Sequence, residues 1–212
     1  MIVLASASPA RLSTLRAAGL DPLVRLSNVD EDAILQQVKD EAIETQVLAL
    51  AKAKARNVAD SLGPVSDNHF VIGCDSMLQH HGQVLGKPHS VERALQRCAD
   101  LSGSEGFLHT GHWIVQVSPT TDSPLPRAEL GKTATSKVLF NEFSSEEIAA
   151  YVATGEPLEV AGSFTIDGLG GAFVKSVEGD PHNVVGISLP LLRLLLNDLG
   201  VFWPSLWTKR ST

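Results

Sequence analysis

Cysteine is scarce in this chain: Cys74 and Cys98 are the only two among 212 residues. Two thiols cannot build a disulfide framework, and these two lack the paired spacing of a metal finger. A reduced, cytoplasmic setting is the expectation that follows. Positive charge is in deficit as well, with 17 Lys and Arg against 24 Asp and Glu, a net charge of −7 and a pI near 5.4. That balance excludes a broad basic face for duplex nucleic acid, so any anionic ligand has to be held by a few placed cations. Long apolar runs are missing too. None approaches the roughly 18 residues that cross a bilayer. No basic segment precedes an apolar stretch at the N-terminus, so neither a membrane span nor a signal peptide is expected. The histidines offer no metal pattern. His80 and His81 are adjacent, while His109 and His112, three apart on a predicted strand, face opposite sides. No Gly-x-Ser-x-Gly elbow, Walker loop or dinucleotide fingerprint occurs, and no internal repeat.

What is present is an ordinary globular composition, 43% hydrophobic and 19% charged, in a chain long enough to bury a core. Residues 1–5 read as a buried strand. A helix follows, with Ser8 as its N-cap, Pro9 at its first position and Gly19 as its stop. Residues 40–62 place Val47, Leu50, Ala51, Lys54, Val58 and Leu62 on one helical face, closed by Gly63-Pro64. Further strands are expected over 69–77, 107–117, 133–140 and 172–177, with a loop rich in Pro, Ser and Thr over 118–126. Helices are expected over 90–101, 144–154 (opened by a Ser144–Glu147 capping box) and 189–199. Strands and helices alternate, so the class is α/β or α+β with a mixed sheet. The chain reads as a single domain over 1–212 with a C-terminal extension over 200–212. Trp203 and Trp207 in that extension either pack on the chain's own core or form a homodimer contact.

Five places could carry chemistry. The junction "LASASPAR" puts Ser6, Ser8 and Arg11 where a strand meets a helix. Free N–H groups, the positive end of the helix dipole, two hydroxyls and a guanidinium suit a phosphate there; a plain helix cap is the other reading. Asp30, Glu31 and Asp32 cluster as carboxylates that suit a hard cation such as Mg²⁺, or form a solvated charged loop. Lys54 sits on an apolar helix face and either snorkels or points its ammonium into a site. Asp75 closes the apolar run "VIGCDS" at a strand's carboxyl end, where ligands bind in open α/β sheets. A carboxylate there can hold a metal or take a proton from water, unless it is merely solvated. Lys87 occupies the turn "GKP", exposed or functional.

Taken in order, "LASASPAR", "SNVDE", "LAKAKA", "VIGCDS", "GKP", "LSG" with "HTG", "YVATGEP", "AGSF" with "GLGG", and "EGDPHNVVGISLPLL" resemble the Maf family of nucleoside triphosphate pyrophosphatases. The match covers nearly the whole chain. It implies a mixed-sheet α/β fold with flanking helices and two lobes around a central cleft, a Maf/ITPase-like architecture. It also implies hydrolysis of a nucleoside triphosphate to the monophosphate and pyrophosphate, helped by Mg²⁺ or Mn²⁺. The family's functional positions fall on Ser8, Arg11, Glu31, Lys54, Asp75 and Lys87, with Asp75 at the proton acceptor's place. On this basis Asp75, Lys54 and Lys87 are expected to be catalytic. Ser6, Ser8 and Arg11 are expected to bind substrate, and Glu31 and Asp75 to hold metal. Family members are linked to removal of non-standard or surplus nucleotides and to arrest of cell division. A catalytically weak nucleotide-binding regulator of septum formation is the alternative, and a phosphatase of another class is a further rival. The chain departs from the family's common pattern at Gly106, where a histidine is frequent, and at Val160 and Asp167, where pyrimidine-preferring members carry Lys and Gln. "AGSF" followed by "GLG" is similar to the branch acting on methylated guanosine triphosphate. Ala10 stands where some relatives carry a second arginine.

Overall fold

The computed structural model describes residues 1–119, 128–158 and 160–208. The chain runs β1 (Ile2–Leu4), α1 (Pro9–Ala17), β2 (Leu23–Val24), α2 (Glu31–Gln37), α3 (Ile43–Ser61), β3 (His69–His80), β4 (Gln83–Leu85), α4 (Val91–Leu101), β5 (Glu105–Val117), β6 (Glu129–Phe140), α5 (Ser145–Ala153), β7 (Val174–Glu178), α6 (Pro181–Val185) and α7 (Leu189–Asp198). The seven strands form one open sheet in the order β2-β1-β3-β5-β6-β7, with β4 paired to β3 off this path. β1 pairs parallel with both neighbours, Val3 opposite Leu23 and Val71, whereas β3–β4 and β6–β7 are antiparallel. The expected mixed α/β sheet with flanking helices is therefore what the chain forms.

Two compact units divide the chain: Met1–Asp75, Thr110–Ala134 and Gly186–Thr212 make the first, Ser76–His109 and Thr135–Val185 the second. In the first unit β1 is buried on both faces. Ile2 and Leu4 join a cluster with Leu15 of α1 and Leu192 and Leu196 of α7, while Val3 and Ala5 join Ala55 and Val58 of α3. A strand covered on both sides needs a continuous apolar run rather than alternation, which is why "IVLA" reads as it does. α1 ends in a Schellman motif: Gly19 takes φ +86°, its N–H donates to Arg16 O (3.0 Å), and Leu20 N–H donates to Leu15 O (3.0 Å). The C-terminal segment packs on the same unit. Trp203 and Leu206 lie against the α1–α7 cluster, and Thr208 N–H donates to Gly19 O at 2.8 Å. Of the two readings of this tail, packing on the chain's own core is the one the structure displays.

The second unit has its own core. Leu78, Leu108, Val138 and Phe140 pack with Phe164, whose ring meets Phe140 edge-on at 4.9 Å. α4 and α5 close over Ala94, Cys98, Tyr151 and Val152. The capping box of α5 is formed, with Ser144 N–H donating to Glu147 Oε2 (2.8 Å) and Glu147 N–H to Ser144 Oγ (3.2 Å). The glycine-rich stretch after α5 folds around Glu156. Its carboxylate accepts from Tyr151 OH (3.0 Å), Leu169 N–H (3.0 Å), Gly170 N–H (3.0 Å) and the Thr165 hydroxyl.

Several boundaries differ from expectation. β6 begins at Glu129 rather than 133, and β7 begins at Val174 because residues Leu169–Phe173 form a 3-10 turn. The acidic cluster 30–32 starts a helix, α2, capped by Asp30, whose side chain accepts from Ala33 N–H at 2.9 Å. No residue of α2 is buried, so no apolar stripe announces it. The loop expected over 118–126 lies, from residue 120 onward, outside the described residues. Among the described residues no helix is long and apolar enough to cross a membrane. Cys74 and Cys98 are free and buried, and burial pushes both thiols up to about 11.

Candidate active site

The site is assembled in the first unit from the end of β1, the middle of β3, the starts of α1 and α2 and the middle of α3. Ser8 caps α1 by accepting from Arg11 N–H at 3.3 Å. Ser6 Oγ sits just ahead of the helix and accepts from Ser8 N–H (3.2 Å) and from Arg11 Nη1 (3.0 Å). Arg11 turns back over this loop. Its Nε donates to the Gly186 carbonyl at 2.7 Å and its Nη1 to the Cys74 carbonyl at 3.0 Å. The cap and the guanidinium anticipated at this junction are both present, and they are joined through Ser6.

α3 approaches the sheet at two glycines. A Cβ on Gly73 would fall 2.1 Å from Ala51 O, and one on Gly111 would fall 2.3 Å from Val47 O. The small residues Ala51 and Ala55 lie on the helix side of this contact. Backbone-to-backbone approach of this kind requires glycine on the strand, since any side chain would push the helix away. Lys54, between those alanines and only 9% exposed, thereby reaches Asp75 in the middle of β3. Its Nζ donates to Asp75 Oδ1 at 2.6 Å and lies 3.0 Å from Glu31 Oε1 at the first turn of α2. Lys54 does not snorkel; it joins two carboxylates from separate elements.

Burial raises the pKa of Asp75, because desolvation disfavours the carboxylate; the charges of Lys54 and Arg11 oppose that shift and Glu31 adds to it. Asp75 is thus a carboxylate between a dry setting, which favours its neutral form, and two cations, which favour its charge. Glu31, with half of its side chain exposed, is the wet partner.

Lys87 belongs to the second unit, exposed in the segment between β4 and α4. The turn that carries it is pinned from α4, where Arg97 Nη1 donates to the Gly86 carbonyl. Ser6, Ser8, Arg11, Glu31, Lys54 and Asp75 are all in the first unit, linked by the contacts above. Reading the sequence missed the backbone acceptors at Cys74 and Gly186 and the residue that fixes the latter's turn, His112. The buried imidazole of His112 accepts from Ser188 N–H at Nε2 (2.8 Å) and donates from Nδ1 to Thr110 O (3.0 Å). Carbonyls carry no residue signature; His112 was visible only as a histidine on a strand.

Among the described residues no three His, Cys, Asp or Glu side chains gather as a metal cage. Two carboxylates sharing one ammonium are nevertheless the donor set that suits a small hard cation, which takes one or two protein carboxylates and completes its shell with water and phosphate oxygens.

The acid–lysine–acid group lies at the middle of β3, which runs on past Asp75 to His80 instead of stopping near it, so Asp75 is not the strand-end acid expected; with the N-terminus of α1 nearby, the arrangement suits an anionic ligand. The chain belongs to the Maf family: the family model described as Maf-like protein matches residues 1–199. It is 48% identical over 207 residues to a protein of Nocardia farcinica named nucleoside triphosphate pyrophosphatase, covering 97% of this chain and 96% of that one. A Rhodococcus erythropolis protein of the same name is 49% identical over 214 residues, 99% of this chain and 98% of its own. One from Salinispora tropica is 49% identical over 212 residues, 100% of this chain and 89% of its own.

Proposed function

We propose that this protein hydrolyses a nucleoside triphosphate to the nucleoside monophosphate and pyrophosphate. The observation that carries the proposal is the buried Lys54 held between Asp75, in the middle of β3, and Glu31, in a chain 48% and 49% identical, nearly end to end, to proteins bearing that name. Phosphoryl chemistry of this kind needs positioning and charge stabilisation rather than a covalent nucleophile. The Ser6 and Ser8 hydroxyls and the N–H groups opening α1 donate to phosphate oxygens, and Arg11 and Lys87 add positive charge. Lys54 favours the charged form of Asp75 and orients it. Asp75 accepts a proton from the attacking water. Glu31 and Asp75 would hold a divalent cation, Mg²⁺ or Mn²⁺, which neutralises phosphate charge when bound.

The reading treats residues 1–212 as one catalytic domain with 200–212 as its extension, working in the cytoplasm to remove non-standard or surplus nucleotides, with a link to cell-division arrest. The test is a panel of triphosphates, methylated bases included, assayed for pyrophosphate against inorganic phosphate with Mg²⁺ or Mn²⁺. Pyrophosphate from at least one nucleotide is expected. Inorganic phosphate alone would place the protein in another hydrolase class, and tight binding without turnover would make it a regulator.

A further inference from the structure

We infer that Arg11 is a positioning residue for Asp75, acting through the Cys74 carbonyl, and not a clamp that grips the triphosphate. This rests on the reading of Asp75 as proton acceptor. The guanidinium is already committed along one edge of the site. Nε donates to Gly186 O (2.7 Å), and Nη1 donates to both Ser6 Oγ (3.0 Å) and Cys74 O (3.0 Å). Three of its five N–H donors are therefore spent on this chain's own oxygens. The Cys74 carbonyl is the peptide oxygen immediately before Asp75. Ala5 N–H donates to the Ile72 carbonyl at 2.8 Å, the last β1–β3 bond before that point. Beyond Ile72, the Cys74–Asp75 stretch in the middle of β3 is held by Arg11.

The far anchor is equally fixed. Gly186 adopts φ +111° in the turn before α7, and two residues later Ser188 donates its N–H to the buried His112. Ser188 Oγ also caps α7 by accepting from Leu191 N–H at 3.2 Å. A chain of fixed contacts thus runs from the strand β5 through His112, Ser188 and Gly186 to Arg11, and from Arg11 to the peptide that carries Asp75. To swing out and grip a phosphate, Arg11 would have to release two carbonyls. Both carbonyls are screened from bulk water in this setting, and leaving such acceptors unpaired is costly. A lysine at position 11 keeps the charge but cannot serve Gly186, Ser6 and Cys74 at once, because its ammonium is a point donor without the planar fork.

The experiment compares the full-length protein with Arg11→Lys. Steady-state rates are measured on the best triphosphate of the panel, and binding of its non-hydrolysable α,β-methylene analogue by calorimetry. The expected result is a fall in kcat of roughly 100-fold, as for a misplaced reacting group, with analogue affinity within about 3-fold of the original. Loss of analogue affinity matching the loss in kcat/KM overturns the proposal, as does a variant with unchanged kcat. A readout on the unmodified protein guards against a variant that fails to fold: the Arg11 Nε–H resonance in ¹⁵N-arginine NMR. It stays in place when the analogue saturates the site if Arg11 holds the Cys74–Asp75 peptide; coupling of that proton to ³¹P overturns the idea. Absence of pyrophosphate release by the original protein would overturn the functional reading beneath it, a result distinct from either failure above.

Discussion

Asp75 meets opposing influences at one oxygen. Burial favours its neutral form, while the Lys54 ammonium at 2.6 Å and the nearby Arg11 favour the charged form. Replacing it by Asn keeps shape and removes both the charge and the proton acceptor. Asp75→Asn is expected to slow pyrophosphate release by about two orders of magnitude or more while leaving the fold intact, as judged by circular dichroism. Turnover near the original rate would remove Asp75 from the mechanism. At this scale much was legible in the sequence. Ser8 announced itself as a cap and Lys54 as a cation out of place on an apolar face; Asp75 was expected near a strand's end, whereas β3 continues past it to His80. The partners of Arg11 were not legible. Its bond to Gly186 spans 175 residues and ends on a carbonyl, an acceptor every residue offers equally.

At the scale of elements, the seating of α3 on the sheet decides whether Lys54 reaches Asp75. Gly73→Ala would place a methyl group 2.1 Å from Ala51 O and 2.7 Å from Ala55 N, on either side of Lys54. The helix has to withdraw. A loss of about 1–3 kcal/mol is expected, or roughly 2–10 °C in Tm for a chain of this size, with turnover falling in the same variant. An unchanged melt and rate would show that the helix is not seated as described. α3 is also tied to β6 and β5 at its outer edge. Arg56 donates to both oxygens of Glu129, Trp113 Nε1 donates to the same carboxylate (2.9 Å), and Lys52 sits 4.6 Å from the Trp113 ring.

The Arg56 and Trp113 hydrogen bonds hold the Glu129 carboxyl down to about 2, against its partial burial. A folded pKa below the unfolded value of about 4.3 gives stability that is present above that value and is lost as pH falls toward 2. With a quarter of Glu129 exposed, solvent screening limits this to about 1–2 kcal/mol. Melting curves between pH 2 and 5 should therefore fall more steeply for the original protein than for Glu129→Gln, which should melt lower at pH 7. Parallel curves would exclude the carboxylate as a contributor. The long helices and central strands were readable because their apolar spacing is long and regular. α2 was not, since it buries nothing, and the two-residue β2 is too short to carry a pattern.

For the whole molecule, the C-terminal segment completes the first unit. Removing residues 202–212 uncovers apolar surface under Trp203 and Leu206 and frees the Gly19 carbonyl from Thr208. A lower Tm is expected, with the mass in light scattering unchanged. A mass that halves on truncation would assign the tail to a contact between copies. The sequence marked this tail by its two tryptophans but held no sign of where they go, because Gly19 accepts the Trp207 ring through a missing side chain: a Cβ there would lie 3.1 Å from Cδ1.

The first unit is stitched from three stretches of chain, the last beginning at Gly186, whereas the second is finished at Val185. During synthesis this imposes an order. The ribosome releases every residue of the second unit before the core strand β1 can meet α7 or α1 can receive the tail. The candidate-site residues of the first unit depend on this later closure, since Arg11 waits for the Gly186 carbonyl. A nascent chain stalled with residues 1–185 outside the exit tunnel should resist protease over the second unit and be cut within β1–α1; full protection of both would show that the last segment is dispensable for closure.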